Sequence, residues 1–247
     1  MIIFLTFIIL IGWNLRQPQG QIAWRHKSIA AWTIDLTGLF MQGILIPLLQ
    51  ITVIFQLYHY ILPLDRASWQ LHPLAAWSLS FICVDYLYYW NHRLLHTKWL
   101  WRAHLVHHTV TDMDILGTSR NTLWTSFAIV YLWIHGLFIY LLVDPTWYIL
   151  GASLTSALDL WRHSRCHPTP TLDRFLRPWL ILPLDHAWHH AEVNISQQHC
   201  NFGANFKFWD RIHGTYYDRA IPPDRLGTPT DLSLSQQLFD PYQLLRK

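Results

Sequence analysis

Apolar residues fall in long blocks along this chain, separated by short polar stretches rich in proline, glycine and charge. Residues 1–15 form the first block, closed by Arg16. No positive charge precedes it and no small-residue cleavage site follows, so it reads as a membrane anchor or short first span rather than a removable signal. Residues 17–27 are a polar loop containing Pro18 and Gly20. Residues 29–62 are apolar except for a few polar side chains, and are interrupted by Asp35 and Pro47. A span needs about 20 residues, so this block predicts one span with an interfacial extension, the alternative being a cramped hairpin. After the loop 63–73, a second run (74–90) carries Asp85 near its end and leads directly into Asn91 and His92. Residues 123–143 predict another span, Asp144-Pro145 a turn, and 146–161 the returning helix that delivers His163. From Cys166 onward the chain is more polar and holds no convincing span.

Composition agrees with lipid as the solvent. Of 247 residues, 52% are hydrophobic and only 13% charged, against roughly 25% charged in average soluble proteins. Fifteen Trp and eleven Tyr suit interfacial aromatic belts. The net charge of +3 and the pI of about 8.8 would permit nucleic-acid binding, but the basic residues are dispersed and the apolar blocks have no place in such a protein. With 29–62 as one span, Arg66 is the only one of 18 Lys and Arg on the side away from the histidines. The positive-inside bias therefore puts the histidine side in the cytoplasm. Three cysteines (Cys83, Cys166, Cys200) lack a disulfide-framework spacing, which predicts free thiols in a reducing compartment. The expected architecture is an all-α integral membrane protein with about four transmembrane helices in two hairpins and a cytoplasmic, histidine-rich helical cap. Its parts are an N-terminal anchor and first span (1–73), a histidine-bearing catalytic domain (74–220) and a C-terminal tail (221–247).

Chemistry enters with the histidines. Ten of the sixteen fall into four groups: His92 and His96; His104, His107 and His108; His163 and His167; His186, His189 and His190. The first and third read HxxxH, the second and fourth HxxHH. Residues three or four apart share a helix face, so each group is expected to aim its imidazoles at one point. The isolated His26, His59, His72, His135, His199 and His213 are expected to be structural or surface groups, and Cys166 a bystander thiol beside His167. Ten imidazoles exceed one four-coordinate zinc site and suffice for two metal ions, each held by about five nitrogens. No HExxH occurs, and no carboxylate set matches the bundle type of di-iron site. An all-imidazole shell suits iron, copper or zinc. Lying at helix ends near the bilayer surface, such metals are placed for oxidation of a long apolar substrate entering from the membrane.

The order HxxxH, HxxHH, a later pair, HxxHH resembles the fatty acid hydroxylase and sterol desaturase superfamily of membrane non-haem di-iron enzymes. So do Asp85-Tyr86-Leu87-Tyr88-Tyr89-Trp90-Asn91-His92-Arg93, Trp101 to Thr109 (WRAHLVHHT), and the closing Asn201-Phe202-Gly203, Trp209-Asp210-Arg211 and Gly214-Thr215-Tyr216. Two positions depart: His213 stands where the family commonly has Phe, and Arg165 where Asn is common. The resemblance implies two iron ions held by His92, His96, His104, His107, His108, His163, His167, His186, His189 and His190. It implies O2 as co-substrate, and hydroxylation or desaturation of a lipid C–H bond with two external electrons. Carboxylates that orient the imidazoles are then expected, with Asp85, Asp159, Asp185 and Asp210 as candidates and Asp112 and Glu192 behind them.

The chain has neither a haem-binding HPGG nor a dinucleotide GxGxxG. A separate ferredoxin, cytochrome or reductase is therefore the expected electron donor, with Arg174, Arg177, Lys207 and Arg211 available to an acidic partner or to anionic headgroups. Competing readings are a zinc or other divalent-metal transporter or sensor, which would set its histidines at mid-bilayer, and a b-type haem protein, which would use only two axial histidines.

Overall fold

The computed structural model describes residues 1–192 and 200–239. His199, expected to be structural, lies outside these residues, and the expected tail is described to Phe239. The described residues are helical, with three isolated bridges and no strands.

Helix α1 (Ile2–Arg16) is followed by α2 (Pro18–His26), whose proline occupies the first turn, where no backbone N–H is needed. Ser28 accepts from Ala31 N and starts α3 (Ile29–Ile61), a continuous helix containing two π-type segments, Met41–Leu45 and Gln50–Ile54. At 33 residues it rises about 50 Å, more than a hydrocarbon core of about 30 Å. It is the one described helix long and apolar enough to cross a membrane, and it is unbroken at Pro47. The hairpin alternative for this block is thereby replaced by a single rod.

Pro73–Ser78, Leu79–Cys83 and Val84–Leu95 run on as one helix, α4 (73–95), started by Pro73 with His72 Nδ1 accepting from Leu74 N. The short α5 (Trp101–Leu105) passes into a 3₁₀ turn, His107–Thr109. The block 123–143, expected as a span, is broken at Ile129, whose backbone is extended, into one helical turn (Thr125–Ala128) and the 12-residue α6 (Val130–Leu141), about 18 Å long. Thr122 Oγ1 accepts from Trp124 N and Thr125 N, organising a tight turn before α6 begins. Helix α7 (Thr146–Arg162) returns alongside. Beyond it lie α8 (Pro170–Leu176), α9 (Pro183–His189), α10 (Lys207–Ile212) and α11 (Leu234–Phe239).

Helix α7 is the hub, packing against α1 on one side and the start of α4 on the other. Gly151 permits the second contact, because a Cβ there would stand 3.0 Å from Trp77 O and Ser80 Oγ. Helix α6 packs on the second half of α3, with Tyr58 donating to Trp133 O and Tyr140 to Leu62 O. Asp35 of α3 is fully buried yet charged. Arg120 engages both its carboxylate oxygens (2.6 and 3.0 Å) and Lys27 reaches it at 2.5 Å, while Lys27 also meets Asp114 at 2.8 Å. This buried ion cluster ties α3 to the 115–120 turn beside the histidines.

Candidate metal centre

Nine of the ten grouped histidines converge. They form two buried groups: His92, His96, His104, His108 and His189 in one, and His107, His163, His186 and His190 in the other. Within each, one ring nitrogen per residue lies within 4.8 Å of all the others.

The HxxHH motifs do not each aim at one point. His104 and His108 join the first group while His107 joins the second; His186 and His190 join the second while His189 joins the first. Helical geometry gives the reason. Residues four apart lie about 40° apart around the axis, but the residue at the third position is offset by about 100° from the one that follows it. Consecutive histidines therefore point about 100° apart, and each motif supplies two rings to one group and one ring to the other. The groups adjoin, with the His108 and His190 rings 4.4 Å apart and those of His107 and His190 4.6 Å apart.

His167 is a correction. It is exposed and belongs to neither group. Helix α7 ends at Arg162, with His163 as its cap, so the HxxxH spacing no longer describes a helix face. Pro168 further disfavours helical backbone at His167. Cys166 also stands outside both groups, and the three cysteines are free thiols.

Outer partners fix the rings. His92 Nδ1 donates to Phe202 O (2.9 Å), His107 Nδ1 to Arg120 O (3.3 Å), His163 Nδ1 to Asp159 O (2.8 Å) and His189 Nδ1 to Cys200 O (2.8 Å). A ring that donates from Nδ1 in its neutral form carries a lone pair on Nε2. The Nε2 atoms crowd together in the second group: His107 Nε2 is 3.3 Å from His163 Nε2, which is 2.8 Å from His186 Nε2, which is 3.1 Å from His190 Nε2. In the first group His92 Nε2 is 3.0 Å from His104 Nε2. Lone pairs at such distances repel unless a cation lies between them. Two nitrogens bound at about 2.1 Å and at right angles would stand about 3 Å apart. His108 Nε2, buried and without a hydrogen-bond partner, fits the same requirement. Burial foremost, then the neighbouring rings, holds His104, His107, His108, His186 and His190 well below the usual imidazole range, in the neutral form that a metal needs. Each group is a donor set that could hold a metal ion.

Of the four candidate carboxylates, only Asp159 touches a histidine ring, at 3.2 Å from His163 Nδ1, while also pairing with Arg162 at 2.5 Å. The others hold backbone. Asp85 accepts from Asn205 N (2.7 Å), Phe206 N (3.3 Å) and Trp209 Nε1 (2.7 Å). Asp210 accepts from Phe202 N and Gly203 N, both 2.8 Å, and from Thr215 Oγ1 (2.7 Å). Both thus anchor the 200–206 segment, whose carbonyls orient His92 and His189. Asp185 caps α9 through Leu182 N (2.8 Å) and pairs with Lys207 Nζ (2.8 Å). Lys207 is fully buried, so it is not free to meet a partner protein or headgroup, a second correction. Arg177 is held by Asp173 at 2.7 Å. Asp112 pairs with Arg165, and Glu192 stands 3.8 Å from Arg225; neither contacts a histidine.

A cavity of about 400 Å³ opens beside the second group. His104, His107, His163 and His186 line it at one side, and Ile46, Pro47, Ile139 and Ile149 line it elsewhere. Ile46 and Pro47 belong to α3, so the cavity connects the histidines to the long apolar helix.

A helical protein with an apolar rod, two buried imidazole groups and a cavity between them is of the histidine-box type. The fatty acid hydroxylase family model matches residues 77–215, and the chain belongs to that family. It is similar to human alkylglycerol monooxygenase (26% identical over 217 residues, 84% of this chain and 44% of the relative). It is also similar to the ornithine lipid hydroxylase OlsE of Rhizobium tropici (28% over 155 residues, 58% and 42%) and to methylsterol monooxygenase 2-2 of Arabidopsis thaliana (28% over 191 residues, 64% and 65%). The chain thus spans less than half the length of the first two relatives. No solved structure matches.

Proposed function

We propose that the chain is a multi-pass membrane enzyme that hydroxylates a lipid C–H bond, with O2 as co-substrate and iron in both histidine groups. The observation that carries this is the convergence of histidine Nε2 atoms beside a cavity that runs to the apolar α3. Family membership and relatives named as lipid hydroxylases and monooxygenases support it. The first ion would be held by His92, His96, His104, His108 and His189, and the second by His107, His163, His186 and His190. When bound, the iron pair would supply O2 chemistry in which two electrons from a separate donor protein and two protons reduce one oxygen atom to water while the other enters the C–H bond, desaturation being the other outcome of the same hydrogen abstraction.

The protein's own part is positional. Carbonyls of Phe202, Arg120, Asp159 and Cys200 hold four rings in the tautomer that leaves Nε2 free to bind. Asp159 adds a carboxylate behind His163, helping to fix that ring's orientation. The apolar wall of the cavity accepts a hydrocarbon chain and excludes water from the reacting carbon. The excess of Lys and Arg on the histidine side supports a cytoplasmic orientation.

The test is purification in detergent, metal analysis, and lipid mass spectrometry of cells with and without the active gene under ¹⁸O2. About two irons per chain and a lipid that gains one labelled oxygen are expected. A strong Soret band, or an unchanged lipid profile with a competent donor present, would refute it.

A further inference from the structure

The C-terminal segment, beyond residue 215 where the family match ends, is joined to the backbone of both HxxHH motifs. Leu226 bridges Ala191 in antiparallel fashion, and Glu192 N donates to Arg225 O (3.1 Å). The next two amides then part. Gly227 N donates to His190 O (3.0 Å) and Thr228 N to His108 O (2.6 Å). His108 belongs to the first histidine group and His190 to the second. Their rings, 4.4 Å apart, lie where the groups adjoin. Consecutive amides of one short strip therefore hold the backbone of one histidine from each group.

Gly227 permits this arrangement. It is buried, with φ at +93°, a conformation that side-chain-bearing residues rarely adopt. A Cβ there would stand 2.8 Å from Val110 O and 3.2 Å from Val110 C. That contact is with main chain just past His108, so any side chain pushes the strip off the motif it holds. Farther along, the segment closes on the long apolar helix. Leu238 of α11 packs with Ile34 of α3 and with Val106, which lies between His104 and His107. Its carbonyl accepts from Leu123 N (3.0 Å).

The carbonyls of Phe202, Arg120, Asp159 and Cys200 each orient one ring. The 227–228 strip differs in spanning the boundary between the groups. Resting on the reading that both groups hold metal, we propose that residues 225–239 form a clasp on the metal centre. Gly227 and Thr228 are its positioning residues. They tie the first HxxHH to the second, so that one device steadies both ions.

The test is graded chelator dialysis of the full-length, metal-loaded protein in detergent, read by elemental analysis. Gly227→Ala is expected to release both metal equivalents at about tenfold or more lower chelator than wild type. Tyr140→Phe, which removes the hydrogen bond to Leu62 O at the far end of α3, controls for general loss of stability. Its melting temperature should fall while its chelator midpoints stay. Midpoints in Gly227→Ala that match wild type, that move no further than in Tyr140→Phe, or that move for one equivalent alone overturn the clasp. Wild type supplies a second measurement should Gly227→Ala not fold. Linkage is reciprocal, so metal tightens the clasp by the factor that the clasp tightens metal. Amide hydrogen exchange over residues 225–230 should then quicken about tenfold or more on metal removal, while residues 55–61 keep their rate. Unchanged exchange at 225–230 overturns the proposal. Two bound metals to which those amides are indifferent remove the clasp and keep the hydroxylase. Metal-dependent exchange with no lipid oxidised does the reverse.

Discussion

Asp210→Asn tests how the first histidine group is held. The carboxylate is fully buried and accepts three hydrogen bonds: 2.8 Å from Phe202 N, 2.8 Å from Gly203 N and 2.7 Å from Thr215 Oγ1. Asparagine keeps one oxygen and turns the other into an NH2, which then opposes a backbone N–H. A hydrogen bond to a charged acceptor contributes about 1.5–3 kcal/mol, and a stranded buried donor costs about 1–3 kcal/mol. The 200–206 segment therefore loosens by roughly 3–5 kcal/mol. That segment carries the Phe202 carbonyl on His92 and the Cys200 carbonyl on His189, both in the five-histidine group. Loss of such outer partners typically weakens metal affinity 10–100-fold. Graded chelator dialysis followed by elemental analysis should show one metal equivalent leaving at about 10–100-fold lower chelator than in wild type, with the midpoint of the second shifted less. Unchanged chelator midpoints for both equivalents, in a variant that still folds, would show that the 200–206 segment does not hold the group.

Other substitutions separate ligands from bystanders. His107→Ala should abolish lipid oxidation and halve the bound metal while membrane insertion persists; His167→Ala should leave both unchanged, and metal analysis of the two side by side checks this. Lys207→Met strands the buried Asp185 carboxylate, so thermal unfolding in detergent should show a loss of about 3–5 kcal/mol, largely recovered by adding Asp185→Leu. The buried histidines also predict a pH dependence. His104, His107, His108, His186 and His190 have folded values below the unfolded 6.5. Their contribution is therefore present above about pH 6.5 and is lost as pH falls below it, because the unfolded chain then binds more protons. Metal-stripped protein should lose melting temperature between pH 7.5 and 5; a flat profile would contradict the neutral assignment.

What the sequence disclosed was residue type and spacing, and those suffice only where a helix persists. His92 and His96 fall in one group because α4 runs through Leu95. The same spacing at His163 and His167 misleads because α7 stops one residue before the first of them. The split of each HxxHH between two groups follows from the 100° step per residue but needs the fold to show that both sides are occupied. The carbonyls of Cys200, Phe202 and Arg120 were invisible, since every residue has one. Asp35 and Lys207 looked like an interruption and a surface charge; their partners, Arg120 and Asp185, lie 85 and 22 residues away. The block 29–62 was legible because apolar length alone predicts it, whereas 123–143 contains a turn made by two threonines that hydropathy does not register.

The peptide link between His107 and His108, like that between His189 and His190, straddles a watershed: one ring drains to each side. A single residue inserted after His104 would turn the following pair by about 100° and send each ring toward the wrong basin. Neither basin can be reshaped without tugging on its neighbour. Ion loading is thereby expected to be correlated, the arrival of one stiffening the short strips of backbone from which the other hangs.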